Sequence, residues 1–68
     1  MTVQINGEAR QLPAGSTLAA AVREAGVPPG GRGVAVAVDG EVVPRGDWTG
    51  TPLQDGQRVE VLHAVQGG

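Results

Sequence analysis

The 68-residue sequence contains no cysteine, no lysine, no tyrosine and no phenylalanine, and it has a single tryptophan. Without cysteine, neither a disulfide nor a thiolate metal site can stabilise the chain. A chain of this length forms one small domain, close to the lower limit at which a single hydrophobic core can hold a fold. We therefore expect the fold to depend on packing alone.

Positive charge is also scarce, because only five arginines are spread along the chain and the formal net charge is −2. Binding to phosphate backbones needs a basic patch, and binding to single strands needs aromatic side chains for stacking. The sequence shows neither feature, so we predict no nucleic-acid partner. No stretch approaches the roughly 20 apolar residues that span a bilayer, and the start MTVQING does not resemble a signal peptide. We predict no membrane association and a cytoplasmic location.

Twelve glycines and five prolines make up a quarter of the residues, a proportion close to that of low-complexity sequences. Their positions argue against disorder, because they fall between apolar runs, where turns are needed. The pairs Asn6-Gly7, Asp39-Gly40 and Asp55-Gly56 are typical turn sequences. We therefore interpret the glycines as boundaries between structural elements.

The first half of the sequence predicts a hairpin followed by a helix. Asn6-Gly7 joins an alternating strand, residues 2–6, to a second strand at 8–12, which is a strong hairpin signal. Ser16 or Thr17 is a candidate N-cap for a helix that runs to about Ala25. The apolar stripe of that helix consists of Leu18, Val22 and Ala25, at helical spacing.

The second half predicts another hairpin, an irregular segment and a last strand. Residues 34–38 alternate valine and alanine, and Asp39-Gly40 turns the chain into residues 41–43, which Pro44 ends because it has no N–H to donate. Residues 44–54 are predicted to be irregular, with Trp48 as a core residue. Asp55-Gly56 then leads into a strand over 57–65, in which Val59 and Val61 alternate with charged residues.

One amphipathic helix must cover one face of one sheet, since it has no other apolar surface on which to pack. Placing the first and last strands side by side in parallel, with the hairpins at either side, gives an α+β fold. We predict a β-grasp (ubiquitin-like) fold with a mixed sheet of four to five strands covered by one helix. Residues 1–65 would form the domain, and residues 66–68 would form a flexible Gly-Gly tail.

Four segments together resemble the ThiS family, the ubiquitin-like sulfur carriers of thiamine biosynthesis. They are INGE at 5–8, VDGEVVPRGDW at 38–48, LQDGQRVEVLHAV at 53–65 and the Gly-Gly end at 67–68. The terminal pair alone is a weak signal, whereas the Pro-Arg, acidic-Trp segment between the strands is more specific. The resemblance covers essentially the whole chain.

The resemblance implies a protein that is not an enzyme and has no cofactor of its own. In the family, an E1-like adenylating enzyme (ThiF type) uses ATP to adenylate the terminal glycine, and a sulfur donor enzyme then supplies sulfur for a thiocarboxylate. Thiazole synthase (ThiG type) is the acceptor. The modified residue corresponds to Gly68, and Gln66 and Gly67 belong to the tail. Lacking a Cβ, the glycines suit a narrow channel in a partner enzyme.

A carrier of this kind needs a docking face, and the strand alternation indicates one. With the valines of residues 34–38 and Val59 and Val61 facing the helix, the opposite face presents Ala35, Ala37, Glu60 and Leu62. A leucine is out of place on a solvent face, and the small alanines beside it would let a partner's side chains approach, although a single exposed leucine is by itself ordinary. We predict that these four residues contact the adenylating enzyme and thiazole synthase.

Other residues give weaker signals. His63 is the only histidine, and a single histidine makes neither a metal site nor a catalytic triad, so we expect it to pack at the end of the sheet. We interpret Asp39 and Glu41 as solvated turn residues. Arg45 and Asp47 suggest an ion pair that holds the irregular segment.

Two alternative functions remain open. The fold is also that of sulfur carriers for molybdopterin or cysteine synthesis and of protein-conjugating modifiers, which present a similar tail. A small β-grasp interaction module with an accidental Gly-Gly end is the third hypothesis.

Overall fold

The computed structural model describes residues 1–28 and 31–63. The strands are β1 (Thr2–Ile5), β2 (Glu8–Gln11), β3 (Val34–Val38), β4 (Glu41–Val42) and β5 (Arg58–His63). Helix α1 spans Leu18–Glu24, and a 3₁₀ helix spans Arg45–Gly50. No helix in this described part of the chain has the length and apolar character needed to cross a membrane.

The five strands form one mixed sheet in the order β2-β1-β5-β3-β4. The central pair, β1 and β5, is parallel, and the other neighbours are antiparallel. The predicted topology is therefore confirmed, with the first and last strands at the centre and a hairpin at either side. The predicted mixed sheet covered by one α-helix is confirmed as well, within residues 1–28 and 31–63.

Both hairpins turn on a non-glycine residue followed by glycine, with positive φ at each position. The φ angles are 51° and 85° at Asn6 and Gly7, and 49° and 85° at Asp39 and Gly40. This left-handed pair matches the twist of two antiparallel strands, which explains why asparagine, aspartate and glycine are preferred there. The turns thus fix the registers Ile5↔Glu8 and Val38↔Glu41.

Helix α1 begins without the predicted side-chain cap. Thr17 is at the N-cap position but makes no capping hydrogen bond, and the Ser16 hydroxyl donates to the Pro13 carbonyl over 2.7 Å instead. The amide of Leu18 donates to the Thr51 carbonyl over 2.8 Å. A distant backbone segment therefore satisfies one of the free amides at the helix start.

The core lies between α1, the 3₁₀ helix and the covered face of the sheet. Leu18, Ala21 and Val22 are the buried residues of α1, and the predicted stripe residue Ala25 is only partly buried. Each core residue is exposed to solvent by 7% or less, and the core consists of Val3, Ile5, Leu12, Leu18, Ala21, Val22, Val27, Val36, Trp48, Leu53, Val59 and Val61.

Segment 44–54, predicted to be irregular, contains the 3₁₀ helix that carries Trp48 into the core. The indole is 7% exposed, and its N–H donates to the Val43 carbonyl over 2.9 Å. The core position predicted for Trp48 is confirmed. The 3₁₀ helix was missed because RGDWTG is too short to show an apolar period.

Gly31 lies against the Trp48 ring and permits this packing. An ideal Cβ on Gly31 would lie 2.6 Å from Cζ3 of the indole, and φ at Gly31 is +59°. Both the contact and the left-handed backbone favour glycine at this position. The loop after α1 can therefore approach the indole closely.

We expect Gly31→Ala to destabilise the protein by about 1–3 kcal/mol, because the new methyl group forces the indole to move and the backbone remains left-handed. The measurement is urea unfolding followed by Trp48 fluorescence. Gly50→Ala is the matched control, since its Cβ would meet no atom within 4 Å. Equal unfolding midpoints for the two variants would contradict the contact.

Candidate docking face and the strand that leads to the tail

The four residues predicted to form a docking patch lie together on the face of the sheet opposite α1. Ala35 pairs with Leu62, and Ala37 pairs with Glu60, across the β3–β5 ladder. Directly opposed residues of antiparallel strands share a face. Ala35, Glu60 and Leu62 are exposed and Ala37 is half-buried. The predicted clustering and solvent exposure agree with the structure, and contact with a partner stays a prediction.

Val42 belongs to the same face and was missed by the sequence analysis. It pairs with Ala37 across the β3–β4 hairpin, so its side chain is on the side of Ala35, Glu60 and Leu62. A signal for it existed, because a two-residue Asp39-Gly40 turn fixes which residues of the hairpin are opposed.

Val42 and Leu62 are the exposed large hydrophobic side chains among the described residues, at 72% and 64%. The order across the strands is Val42, Ala37, Ala35 and Leu62, which makes one apolar strip with only methyl groups between its ends. We call these four residues and Glu60 the open-face patch. A single exposed leucine would need no explanation, but a strip that crosses three strands is a candidate interaction surface.

The predicted tail residues Gln66, Gly67 and Gly68 lie outside the described residues. The structure describes β5, the strand that precedes them, through His63. The side chain of His63 is exposed, so the expectation that it packs at the sheet end is wrong. It lies opposite Val34 at the last pair of the β3–β5 ladder, where the strand leaves the covered core.

Asn6 holds β5 from the β1 side through its side-chain amide. Its Oδ1 accepts the Val61 amide over 2.8 Å, and its Nδ2 donates to the Val61 carbonyl over 3.2 Å. The backbone amide of Asn6 donates to the Val59 carbonyl over 2.9 Å. The carboxamide therefore acts as one more peptide unit, which extends the β1–β5 ladder after β1 has turned away.

Asp39 holds β5 from the other side. Its carboxylate accepts the Arg58 amide over 3.0 Å and the Gln57 side-chain amide over 3.2 Å. Its own amide donates to the Arg58 carbonyl over 2.8 Å. Asp39 is an exposed turn residue, as predicted, but its side chain also binds the start of β5, which the sequence did not indicate.

Asn6 and Asp39 are also the non-glycine residues with positive φ in the described chain. Short polar side chains tolerate this backbone geometry better than others do. Each turn residue thus has two tasks, closing a hairpin and binding the backbone of β5 with its side chain. The sequence analysis found only the first task.

Comparison with known proteins agrees with this fold. A profile of the ThiS family matches residues 3–68. The crystal structure of the thiamine biosynthesis protein (ThiS) from Geobacter metallireducens is similar, with a TM-score of 0.78, 26% sequence identity and full coverage of both chains. A search of curated protein sequences found no significant match.

We expect Asn6→Gly to lower the free energy of unfolding by about 1–3 kcal/mol, because glycine accepts the left-handed turn but removes two hydrogen bonds to Val61. Hydrogen exchange at the Val61 amide should accelerate, while exchange within the β3–β4 hairpin stays unchanged. Protection at Val61 equal to that of the parent protein would show that the carboxamide does not hold β5.

Proposed function

The chain belongs to the ThiS family, whose members are sulfur carriers of thiamine biosynthesis, and we propose that it carries sulfur as a thiocarboxylate on Gly68. The profile match carries this proposal, because it extends through Gly67 and Gly68 rather than ending with the folded domain. The protein itself is a carrier and not a catalyst.

The chemistry begins with an unreactive carboxylate. In the proposed sequence, a carboxylate oxygen of Gly68 attacks the α-phosphate of ATP, and pyrophosphate leaves. The terminal sulfur of a persulfide then displaces AMP at the Gly68 carbonyl and forms an acyl disulfide. A thiol of a partner enzyme next attacks the sulfur on the donor side, which breaks the S–S bond, releases the Gly68 thiocarboxylate and leaves a disulfide on the partner. An E1-like enzyme binds the ATP, a sulfur donor enzyme supplies the persulfide, and thiazole synthase accepts the sulfur. The carrier contributes its fold, its docking face and its tail.

The geometry supports a carrier that docks on its partner at one site and reacts at another. An extended chain advances at most about 3.3–3.6 Å per residue, so the five residues after His63 span about 17 Å at full extension. A partner that binds Leu62 can therefore place its active site well away from the open-face patch. The Asn6 side chain fixes β5 at Val61, close to the base of this segment, so the distance that the segment can reach has a defined starting point.

Intact mass and C-terminal peptide fragmentation of the protein, purified from its own host under thiol-preserving conditions, test the modification. We expect exchange of one oxygen for sulfur, localised to Gly68. Localisation is essential because oxidation of Met1 or Trp48 adds nearly the same mass. An unmodified Gly68 in thiamine-starved cells that express the partner enzymes would favour a simple interaction module.

The open-face patch is tested by adenylation of purified variants with the E1-like enzyme. We expect Leu62→Asp and Val42→Asp each to lower kcat/KM by about tenfold or more, because each places an unpaired carboxylate in an apolar contact. Both positions are exposed, so stability should change little. Gln54→Asp, at an exposed loop position, is the control for added charge. Unchanged adenylation of both patch variants would exclude this face as the docking surface.

A further inference from the structure

A groove lies on the helix side of the molecule, between α1, the loop that follows it and the 3₁₀ helix. Its volume is about 750 Å³. Its floor is formed by the core residues Val22, Val27 and Trp48, and its wall includes Gly31. The groove is therefore apolar at its base and open to solvent above.

The rim of this groove is positively charged. Arg23, Arg32 and Arg45 line it, and no aspartate or glutamate is among the described residues that do so. Three of the protein's five basic residues thus converge on one site, although the net charge of the chain is −2. The three arginines are dispersed in the sequence, as described above, but line one groove in three dimensions.

Arg23 and Arg32 are the two rim arginines that are available to bind a partner. Both are exposed, and neither makes an ion pair within residues 1–28 and 31–63. By contrast, Arg10 is bonded to Glu8 and Glu24 over 3.3 and 3.8 Å. Arg45 already makes a contact of its own and adds charge at the rim.

We propose that this groove binds an acidic segment of a partner protein that carries an apolar anchor residue. The anchor side chain packs on the floor, and flanking carboxylates pair with the guanidinium groups of Arg23 and Arg32. Guanidinium groups bind carboxylates with two parallel hydrogen bonds, so the pairing depends on the orientation of the two groups as well as on their charge. Charge complementarity and the apolar floor together define this occupant.

A nucleic acid fits the groove poorly. Stable phosphate-backbone binding uses many cations, and single-strand binding uses exposed aromatic faces. Here the rim supplies three cations, and Trp48 is 7% exposed. The groove is on the opposite side of the sheet from the open-face patch, so an acidic segment and a partner on the patch can bind at the same time.

Trp48 is the sole aromatic side chain of the protein, so its indole N–H signal and its fluorescence report on the groove directly. The experiment titrates the ¹⁵N-labelled full chain with a 12-residue synthetic peptide of aspartate and glutamate around a central Leu-Phe pair. We expect the indole N–H signal and the backbone amide signals of residues 22–28 to shift, with a Kd below about 1 mM. The Kd should rise with added salt, because salt screens the ion pairs.

Variants assign the binding to the rim. Arg23→Gln and Arg32→Gln should each raise the Kd by about 1.5- to 5-fold, as expected for the loss of an exposed ion pair, and the double variant should raise it further. Arg58→Gln is the matched control, because Arg58 is exposed and alternates with Val59, which places it on the open face. The same peptide with glutamine and asparagine in place of its acids should not bind.

Five results would overturn the proposal, and the fifth concerns the protein without peptide. The first four are the absence of any shift at about 1 mM peptide, shifts confined to the open-face patch, equal weakening of binding by Arg58→Gln, and inorganic phosphate alone reproducing the peptide shifts. The phosphate result would make the groove a small-anion site. An indole signal that moves on dilution without peptide would make the occupant a second copy of the chain. None of these outcomes depends on the chemistry of Gly68.

Discussion

The insertion of β5 between β1 and β3 is the constraint on which the rest of the structure depends. It pairs residues about 54 positions apart, Gln4 with Arg58 and Ile5 with Val59. Closing a loop of this length costs about 3–4 kcal/mol in chain entropy beyond a constant term. Hydrogen bonds and burial of Val59 and Val61 must offset that cost. Without β5, the two hairpins would have no common sheet and α1 would have no continuous surface to cover.

The structure supports this pairing with contacts beyond the short ladder itself. At the start of β1, the Thr2 amide donates to the Asp55 carboxylate and the Thr2 carbonyl accepts the Gly56 amide, both over 2.7 Å. At the other end, the Asn6 carboxamide continues the ladder to Val61. The turns thus contribute to the central pairing as well as to their own hairpins. In a small domain without disulfides, residues with two structural tasks reduce the number of residues that the fold requires.

Sequence reasoning succeeded where the determining forces are local. The two-residue turns, the apolar stripe of α1 and the alternation of β3 and β5 all lie within a few residues, and they gave the β-grasp topology. It failed where contacts join distant segments. Nothing near Asn6 indicates a bond to Val61, 55 residues away, and nothing in the spacing of Arg23, Arg32 and Arg45 indicates that they share one groove. The packing of His63 was misjudged because strand periodicity gives the face of a residue but not the extent of the core beneath it.

The two faces of the sheet differ in chemistry, and the register of β5 decides which residues each face receives. Shifting a strand by one residue moves every side chain to the opposite face. In β5 such a shift would place Leu62 beneath α1 and move Val61 into solvent, and both positions are occupied by apolar residues. The same shift would bring Glu60 to the buried position of Val59, so burial of an unpaired carboxylate already opposes it. The bonds of Asn6 and Asp39 go to specified backbone groups of Val61 and Arg58, and a shifted strand cannot keep either. The turn side chains therefore add the specificity that keeps Leu62 on the open face, beside Ala35 and in line with Val42.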